Sequence, residues 1–463
     1  MPSAPSASRG FFPLDEELEL LAGHFTPSVY EGITRLGTWM PFKRAVKEMN
    51  YRAASGAVSK AFGKSGSRQA ARYPTRFGRM KYFWHVTVTE ATVRRQTEAA
   101  GAAYVQVQDN EVDRLEREAP PAPKGPDKQF LSVDGAMVPL VGGEWAEVKT
   151  LAVGEVAPPV QHKGETVIQT REMSYFSRLT DAKTFQRLAL VETHRRGVET
   201  AGKVGAVTDG SEWCQGFVDF HRPDAVRILD FPHAGEHLGQ VGQTVWGEGA
   251  PAAQAWLTNQ LHQLKHDGPV SVLAAVRQLG VAQPDQPAIA EHLAYLEKRE
   301  PHMQYPLFQS AGWPIGDGAV ESGNKLVVEA RLKGSGMHWA RPHVDPMVAL
   351  RTIACNDRWE EAWPQITTEL RRQTAQHRTE QRQKRQARRC EATRFLPETT
   401  LPTEPALVTP TPEPLRTPPE PVAPSAPDKP KQPWRPAANH PWRKPVVLKT
   451  KRQLAQPRLS SKL

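Results

Sequence analysis

The chain has only three cysteines in 463 residues, Cys214, Cys355 and Cys390, and they lie far apart. No two of them have the short spacing of a zinc site, and so few thiols argue against a disulfide framework. No run of 18 apolar residues exists, which argues against a membrane-spanning helix. The N-terminus lacks the cationic start and apolar core of a signal peptide. These absences predict a cytoplasmic protein with reduced thiols and no membrane partner.

Positive charge is what the sequence has in excess. Sixty lysines and arginines face 50 aspartates and glutamates, which gives a net charge of +10 and an isoelectric point of about 9.5. A basic chain of this size suggests a polyanionic partner, nucleic acid before membrane. Charge alone would fit a merely basic soluble protein equally well, so the partner has to be argued from motifs.

Composition shifts along the chain predict its division into segments. Residues 397–463 hold 17 of the 42 prolines and very few large apolar residues, so they cannot bury a core. The predicted segments are a flexible N-terminus (1–13), a helical DNA-binding domain (14–120) with a basic insert (51–85), a linker (121–128), an α/β domain (129–364) with an all-helical insertion (238–310), and a basic, proline-rich disordered tail (365–463).

The N-terminal part is predicted to be helical. Pro27 and Pro41 each suit the first turn of a short helix. A further helix, which Thr89 would cap and Gly101 would end, would suit the second helix of a helix-turn-helix, with Arg94 and Arg95 facing DNA phosphates. An ordinary amphipathic helix is the alternative.

The periodicity changes from helical to alternating at Gln129. Strands linked by a hairpin and followed by crossover connections predict a mixed sheet covered by helices, in an order that fits the ribonuclease H-like fold. Many functions share such folds, so the fold alone assigns none. Along the chain the predicted elements are the strand FLSVDGAMVPLV, a turn at Gly142–Gly143, the strands WAEVKTLAVGEV and ETVIQT, the helix TDAKTFQRLALVETHRRG, the strand before Asp209, a helix around Trp213–Phe220, the strand before Asp230, the helical insertion, the helix VESGNKLVVEARLKGSG and the helix DPMVALRTIACNDRWEEAW.

Three acids on these elements are candidate catalytic residues and metal ligands. Asp134 lies within a strand, Asp209 follows one, and Glu321 opens a helix. Carboxylates are ligands that Mg²⁺ and Mn²⁺ favour, and two such ions can promote an in-line phosphoryl displacement. The acids are 75 and 112 residues apart, a spacing that suits acids gathered by a sheet rather than by one loop. Asp230 and His233 are predicted to support them.

Several other residues near these acids leave alternatives open. Asp317 is predicted to cap the Glu321 helix. Arg331 and Lys333 are candidate DNA contacts, with a solvated face as the alternative. One stretch matches the zinc-protease pattern H-x-x-E-H. So short a pattern often matches by chance, and the acids that follow the strands indicate other chemistry, so a zinc site is disfavoured. Base stacking is one interpretation for two insertion tryptophans, and core packing is the favoured one. The residues of that zinc pattern are His233, Glu236 and His237, and the tryptophans are Trp246 and Trp256.

Four stretches together resemble DDE-type insertion-sequence transposases of the ISKra group, which are related to Mutator-like transposases. They are LSVDGAMVP, VTDGSEW, LDFPHAGEHL and GDGAVESGNKLVVEARLKGSGMHW. The resemblance implies that Asp134, Asp209 and Glu321 bind two magnesium ions, cut at the ends of a mobile element and join those ends to target DNA. It also implies double-stranded partners, the terminal inverted repeats and the target, and a homodimer or larger assembly on DNA.

The sequence departs from the family in its N-terminal part. The family often has a cysteine zinc motif there, which this chain lacks, and residues 51–85 separate helical stretches that would normally lie closer together. Two rival functions therefore stay open. One is a structure-specific nuclease or resolvase on the same core, and the other is a non-catalytic DNA-binding protein derived from a transposase.

Overall fold

A computed structural model of the protein describes residues 20–21, 23–54, 87–162 and 165–394. The predictions of a flexible segment at 1–13, of a basic insert beyond residue 54 and of a disordered tail beyond residue 394 lie outside these residues. All described residues belong to one compact unit.

A five-stranded mixed sheet lies at the centre of this unit. Its order is β5–β2–β1–β6–β7, with β1, β2 and β5 antiparallel to one another in turn and with β6 and β7 parallel to β1. A separate hairpin is formed by β3 and β4. The strands are β1 (Lys128–Pro139), β2 (Trp145–Val156), β3 (Val160–His162), β4 (Glu165–Val167), β5 (Thr170–Arg178), β6 (Lys203–Thr208) and β7 (Val226–Leu229).

Helices surround the sheet, and none of those described is both long and apolar enough to cross a membrane. Short 3-10 segments occupy Glu300–Met303 and Arg341–His343, and a π segment occupies Asn324–Glu329. The α-helices are α1 (Pro27–Trp39), α2 (Phe42–Ala54), α3 (Glu90–Glu118), α4 (Ala182–Leu188), α5 (Leu190–Arg195), α6 (Glu212–His221), α7 (Phe231–Trp246), α8 (Pro251–His266), α9 (Pro269–Ala282), α10 (Pro287–Lys298), α11 (Tyr305–Ser310), α12 (Gly318–Gly323), α13 (Ala330–Leu332), α14 (Val344–Cys355) and α15 (Trp359–Arg394).

Local sequence signals explain where these elements begin and end. Gly142 and Gly143 have φ values of +101° and +87°, which favour glycine, and they form the predicted turn between β1 and β2. The side chain of Thr89 accepts a hydrogen bond from the Thr92 amide, so α3 begins at the predicted cap, and that of Thr26 accepts one from the Val29 amide, so α1 begins with Pro27 in its first turn as predicted.

The two faces of β1 pack against different helices, because successive side chains of a strand alternate. Leu131 and Val133 belong to a buried cluster with Phe185 of α4. Val138, on the opposite face, belongs to a cluster with Val328 of the π segment. Asp134 has the same parity as Val138, so the backbone alternation directs it to the face that the Glu321 region covers.

The prediction that ETVIQT forms the third strand of the main sheet is wrong. Glu165–Val167 of that run forms a strand of the small hairpin, its last residue, Thr170, begins β5, and β5 is the third strand of the main sheet. The run ETVIQT has its two apolar residues side by side, between polar ones. The β5 sequence TREMSYFSR is mostly polar, although its second half is buried throughout. Burial by surrounding helices therefore overrode the local pattern.

Gly101 does not end a helix, as the sequence predicted. It lies inside the 29-residue helix α3, where a Cβ would clash with the backbone of Pro346 at the start of α14. The glycine therefore serves a close approach between two helices rather than a helix end.

The prediction of a disordered tail is wrong for residues 365–394, because these residues form the greater part of helix α15. The predicted last core helix also breaks in two, with Asp357 between α14 and α15 at a φ of +56°. Ile366 and Leu370 are buried against a cluster that includes Tyr30 of α1 and Ala100 of α3. The basic composition of this stretch concealed these two apolar contacts.

Candidate functional site

Strand register brings three of the predicted acids into one row. Leu131 of β1 pairs with Ala206 of β6, and Asp134 and Asp209 each lie three residues further along their strands. Thr208 of β6 pairs with Leu229 of β7, and Asp209 and Asp230 are the next residues. Because neighbouring strands lie about 4.8 Å apart, the three acids occupy adjacent places at one edge of the sheet.

Asp230 is fixed by backbone donors from two elements. Its Oδ2 accepts a hydrogen bond from the His233 amide at 2.8 Å, which caps α7, and its Oδ1 accepts one from the Asp317 amide at 2.8 Å. Its own amide donates to the Thr208 carbonyl at 2.8 Å. Only 3% of the residue is exposed. Asp230 therefore ties the segment before Glu321 to the sheet edge, which is a positioning role.

The Glu321 region reaches Asp134 through an asparagine. Asn324 Nδ2 donates a hydrogen bond to Asp134 Oδ2 at 2.7 Å. Glu321 is exposed and pairs with Lys325, whose Nζ lies 3.2 Å from Glu321 Oε2. Asn324 begins the π segment that follows α12. Such a bulge is frequent at functional sites, and here it lies next to two of the three predicted catalytic acids.

Asp317 is not the side-chain cap that the sequence predicted. It stands at the N-cap position of α12, but its side chain makes no capping hydrogen bond. It is only 7% exposed. Burial, followed by the negative charges of Asp230, Asp134 and Glu321, raises the pKa of its carboxyl to about 8. A fifth carboxyl group therefore lies among the four predicted acids Asp134, Asp209, Asp230 and Glu321.

Burial and, to a smaller extent, the neighbouring negative charges raise the pKa values of Asp134, Asp230 and Asp317 at this edge. Burial raises the pKa of Asp134, and the charges of Asp209 and Glu321 raise it further. The pKa of Asp230 is also raised, again chiefly by burial. Acids that raise one another's pKa form a site where a cation would lower the free energy of the charged state.

The donor set suits a hard cation, but it is not gathered on a single point. In the described part of the chain, no three histidine, cysteine, aspartate or glutamate side chains are grouped so that they could hold one metal ion. The carboxylate of Asp134 accepts a hydrogen bond from Asn324, and the carboxylate of Glu321 accepts one from Lys325. Binding a metal there would require these two side chains to exchange their present partners for the ion.

The helical insertion holds the turn that carries Asp209. The Tyr295 hydroxyl donates to the Asp209 carbonyl. Arg299 donates through Nη2 and Nε to the Gly210 carbonyl at 2.7 and 3.0 Å, and its guanidinium stacks on the Tyr295 ring at 3.6 Å. Sequence reasoning missed both residues because the insertion offers no local signal of which face packs against the sheet edge.

Asn324 was also missed, although a signal existed. It lies three residues after Glu321, a spacing that brings two side chains to the same face of a helix. An amide one turn from a candidate metal ligand is a natural hydrogen-bond partner for a neighbouring carboxylate. The motif that was used to choose Glu321 therefore also contained Asn324.

Histidines of the insertion form a cluster beside this turn. The His237 ring stacks on Tyr295 at 3.8 Å between ring centroids, and its Nδ1 lies 3.0 Å from His292 Nδ1. Burial lowers the pKa of His237 to about 4. His233 Nδ1 lies 3.5 Å from Glu236 Oε2. His237 thus packs against an aromatic ring instead of sharing a ligand position with His233 and Glu236.

The four predicted DNA-contact residues have different surroundings. Arg94 and Arg95 are exposed on α3. Lys333 is exposed but pairs with Glu329 at 2.7 Å. Arg331 does not lie on an exposed face as a DNA contact would, since it is 2% exposed. Its Nε donates to the carbonyl of Gly37 at 3.0 Å, and its guanidinium lies between two aromatic rings, those of Phe42 and Trp339, at 4.7 and 5.1 Å.

Trp246 and Trp256 contact each other across the insertion, with ring centroids 5.5 Å apart. Trp256 packs against the hydrophobic cluster of the insertion, whereas Trp246 is 36% exposed.

No model of a known protein family matches the chain, and no curated protein matches it.

Proposed function

We propose that the protein is a DNA transposase of the DDE type, which cuts at the ends of a mobile element and joins them to target DNA. The observation that carries the proposal is the row of Asp134, Asp209 and Asp230 on adjacent parallel strands, with Glu321 brought to the same edge by Asn324 and Asp317. Acids far apart in sequence are brought to neighbouring places, and phosphoryl transfer there would require Asp134 and Glu321 to exchange their present partners, Asn324 and Lys325, for metal ions.

Strand order supports a ribonuclease H-like core within this proposal. Three strands in chain order are antiparallel neighbours, and two parallel strands follow on the far side of the first. Helices connect the last strands, and a wholly helical stretch separates β7 from α12. That arrangement agrees with the order predicted from the sequence, including a helical insertion before the glutamate.

Asp134, Asp209 and Glu321 would hold two magnesium or manganese ions. When bound, such ions activate the attacking oxygen and stabilise the leaving oxygen of a phosphodiester. The chain's own residues supply the rest. Tyr295 and Arg299 fix the backbone after β6, and Asp230 fixes the segment that carries Glu321. Rigid placement of the acids would keep the reacting groups aligned.

Exposed arginines at the start of α3, Arg94 and Arg95, would contact DNA phosphates as part of a helix-turn-helix-like N-terminal region. Joining two element ends requires two active sites, so the active form would be a homodimer or larger assembly on DNA. The double-stranded substrates are the terminal inverted repeats and the target.

The test uses purified protein, Mg²⁺ and a plasmid that carries the gene with its flanking DNA. Strand breaks and joined products are mapped by sequencing. We expect Asp134→Asn, Asp209→Asn and Glu321→Gln each to lose cleavage by about 10³-fold, since metal-held charge stabilisation is worth several kcal/mol. Gel-shift binding should persist in all three variants.

Glu236→Gln is the matched control, because Glu236 is an exposed acid on the neighbouring helix α7 and should leave cleavage unchanged. Wild-type nicking by Asp209→Asn would contradict the assignment. Cutting without joining would instead indicate a nuclease or resolvase, and binding without any cutting would indicate a non-catalytic DNA-binding protein.

A further inference from the structure

The long helix α15 has two halves with opposite surroundings. In the first, Ile366 and Leu370 are buried in a core cluster, and Glu369 is buried and pairs with Arg372. In the second, every residue from 375 to 388 is exposed. The second half therefore extends from the core as a helix without tertiary packing.

Positive charge is concentrated on one side of this exposed half. Arg378, Arg382 and Arg385 follow the spacing i, i+4, i+7, and at about 100° per residue they fall on one face. We name these three residues the arginine stripe. Lys384 and Arg388 form a second basic row beside it. One flank of the helix carries the uncharged residues Thr379, Gln383 and Gln386, and the side opposite the stripe carries Ala387 and one acid, Glu380.

The arginine stripe has no compensating charge within the described chain. None of its three members makes an ion pair or a hydrogen bond with a described residue. Like charges at i, i+4 spacing destabilise an isolated helix. A helix with no apolar face and with repelling charges gains nothing from burial, so a polyanion bound along it would stabilise it.

We propose that the arginine stripe binds the phosphate backbone of duplex DNA. The choice of DNA as the partner rests on the proposed function, but the arginine stripe is a different surface from the row of acids at the sheet edge. Its length supports the choice, because the helix extends about 15 Å from residue 378 to residue 388, and duplex DNA offers about one phosphate charge per 1.7 Å of its axis. An anionic membrane is disfavoured because an interfacial helix needs an apolar face.

Backbone contacts of this kind have a measurable salt signature. Each phosphate neutralised by an arginine contributes about 0.9 to the slope of the logarithm of the binding constant against the logarithm of salt concentration. Loss of three contacts should therefore reduce that slope by about 2.7, uniformly for different DNA sequences.

The test compares the full-length wild type with the triple variant Arg378→Gln, Arg382→Gln, Arg385→Gln. Binding to a fluorescent 30-base-pair duplex of arbitrary sequence is followed by anisotropy at several salt concentrations. Two triple controls are matched. The first, Thr379→Ala, Gln383→Ala, Gln386→Ala, changes an uncharged flank of the same helix. The second removes the same charge from exposed positions on three other elements, and its substitutions are Arg117→Gln, Arg171→Gln and Lys183→Gln.

We expect the salt slope to fall by about 2.7 in the stripe variant only, with helix content unchanged by circular dichroism. An unchanged slope in that variant, an equal fall in the charge-matched control, or equally tight binding of vesicles with anionic lipid would overturn the proposal. Failure is separable from failure of the catalytic proposal, because Asp209→Asn should keep the full salt slope whether or not the wild type cleaves DNA.

Discussion

The sheet edge and the exposed half of α15 both concentrate charge of one sign, but they hold it differently. At the edge, Asp230 is buried and bound by two backbone amides, and Asp134 accepts a hydrogen bond from Asn324. On α15 the arginine stripe is exposed and has no described partner. Buried acids need a scaffold to stay in place, whereas exposed arginines need only a helix.

This contrast predicts where mutations will be costly. A buried carboxylate that accepts backbone hydrogen bonds leaves unsatisfied donors behind when it is removed. An exposed arginine without a partner leaves nothing unsatisfied. Mutations of the acids at the sheet edge should therefore lower both stability and activity, whereas mutations of the arginine stripe should weaken DNA binding alone.

The largest effect on stability is expected from Asp230→Ala. The substitution leaves the buried amides of His233 and Asp317 without their acceptor, at a cost of about 1–3 kcal/mol for each unsatisfied group. Removal of the buried Asp230 charge offsets part of this cost, so we expect a net loss of about 2 kcal/mol in the free energy of unfolding. Urea unfolding followed by circular dichroism measures it.

Arg382→Ala is the counterpart on the exposed helix and should change the free energy of unfolding by no more than about 0.5 kcal/mol. Asp230→Asn keeps one acceptor and should fall between the two. Equal stability of Asp230→Ala and Arg382→Ala would remove the contrast between the two regions.

A smaller effect concerns pH. The carboxyl of Asp317 has a pKa raised from 3.8 to about 8 by burial and by three neighbouring acids. The folded chain therefore keeps a proton that the unfolded chain has already released. In the absence of metal, the free energy of unfolding should fall as pH rises from about 6.5 to 8 and should level off above.

Asp317→Asn should flatten this dependence, because the amide stays neutral at every pH. Urea unfolding in EDTA at four pH values between 6.5 and 8.5 checks the expectation. Parallel curves for the wild type and the variant would show that another group is responsible for the slope.

Much of the central sheet could be predicted from the sequence, because its signals are local. The turn at Gly142–Gly143, the caps at Thr26 and Thr89 and both long strands β1 and β2 follow from residue type and alternation. The neighbouring positions of Asp134 and Asp209 also followed, since the strands that carry them were expected in one sheet and are parallel neighbours. These features depend on neighbours in sequence.

What could not be predicted depends on contacts between distant residues. β5 is buried by helices that its own sequence does not reveal, and Gly101 accommodates Pro346 from a helix more than 200 positions away. Tyr295 and Arg299 act on Asp209 and Gly210 from inside the helical insertion. Arg331 was assigned to the surface because its two aromatic neighbours come from separate elements.

The most direct test of the acid site is Mn²⁺ binding, measured by titration with electron paramagnetic resonance of the free ion. The account predicts two ions per wild-type chain, and markedly weaker binding by Asp134→Asn and by Asp209→Asn, while Glu236→Gln binds as the wild type does. Undiminished Mn²⁺ binding by the Asp134 and Asp209 variants would contradict a metal site at this edge of the sheet.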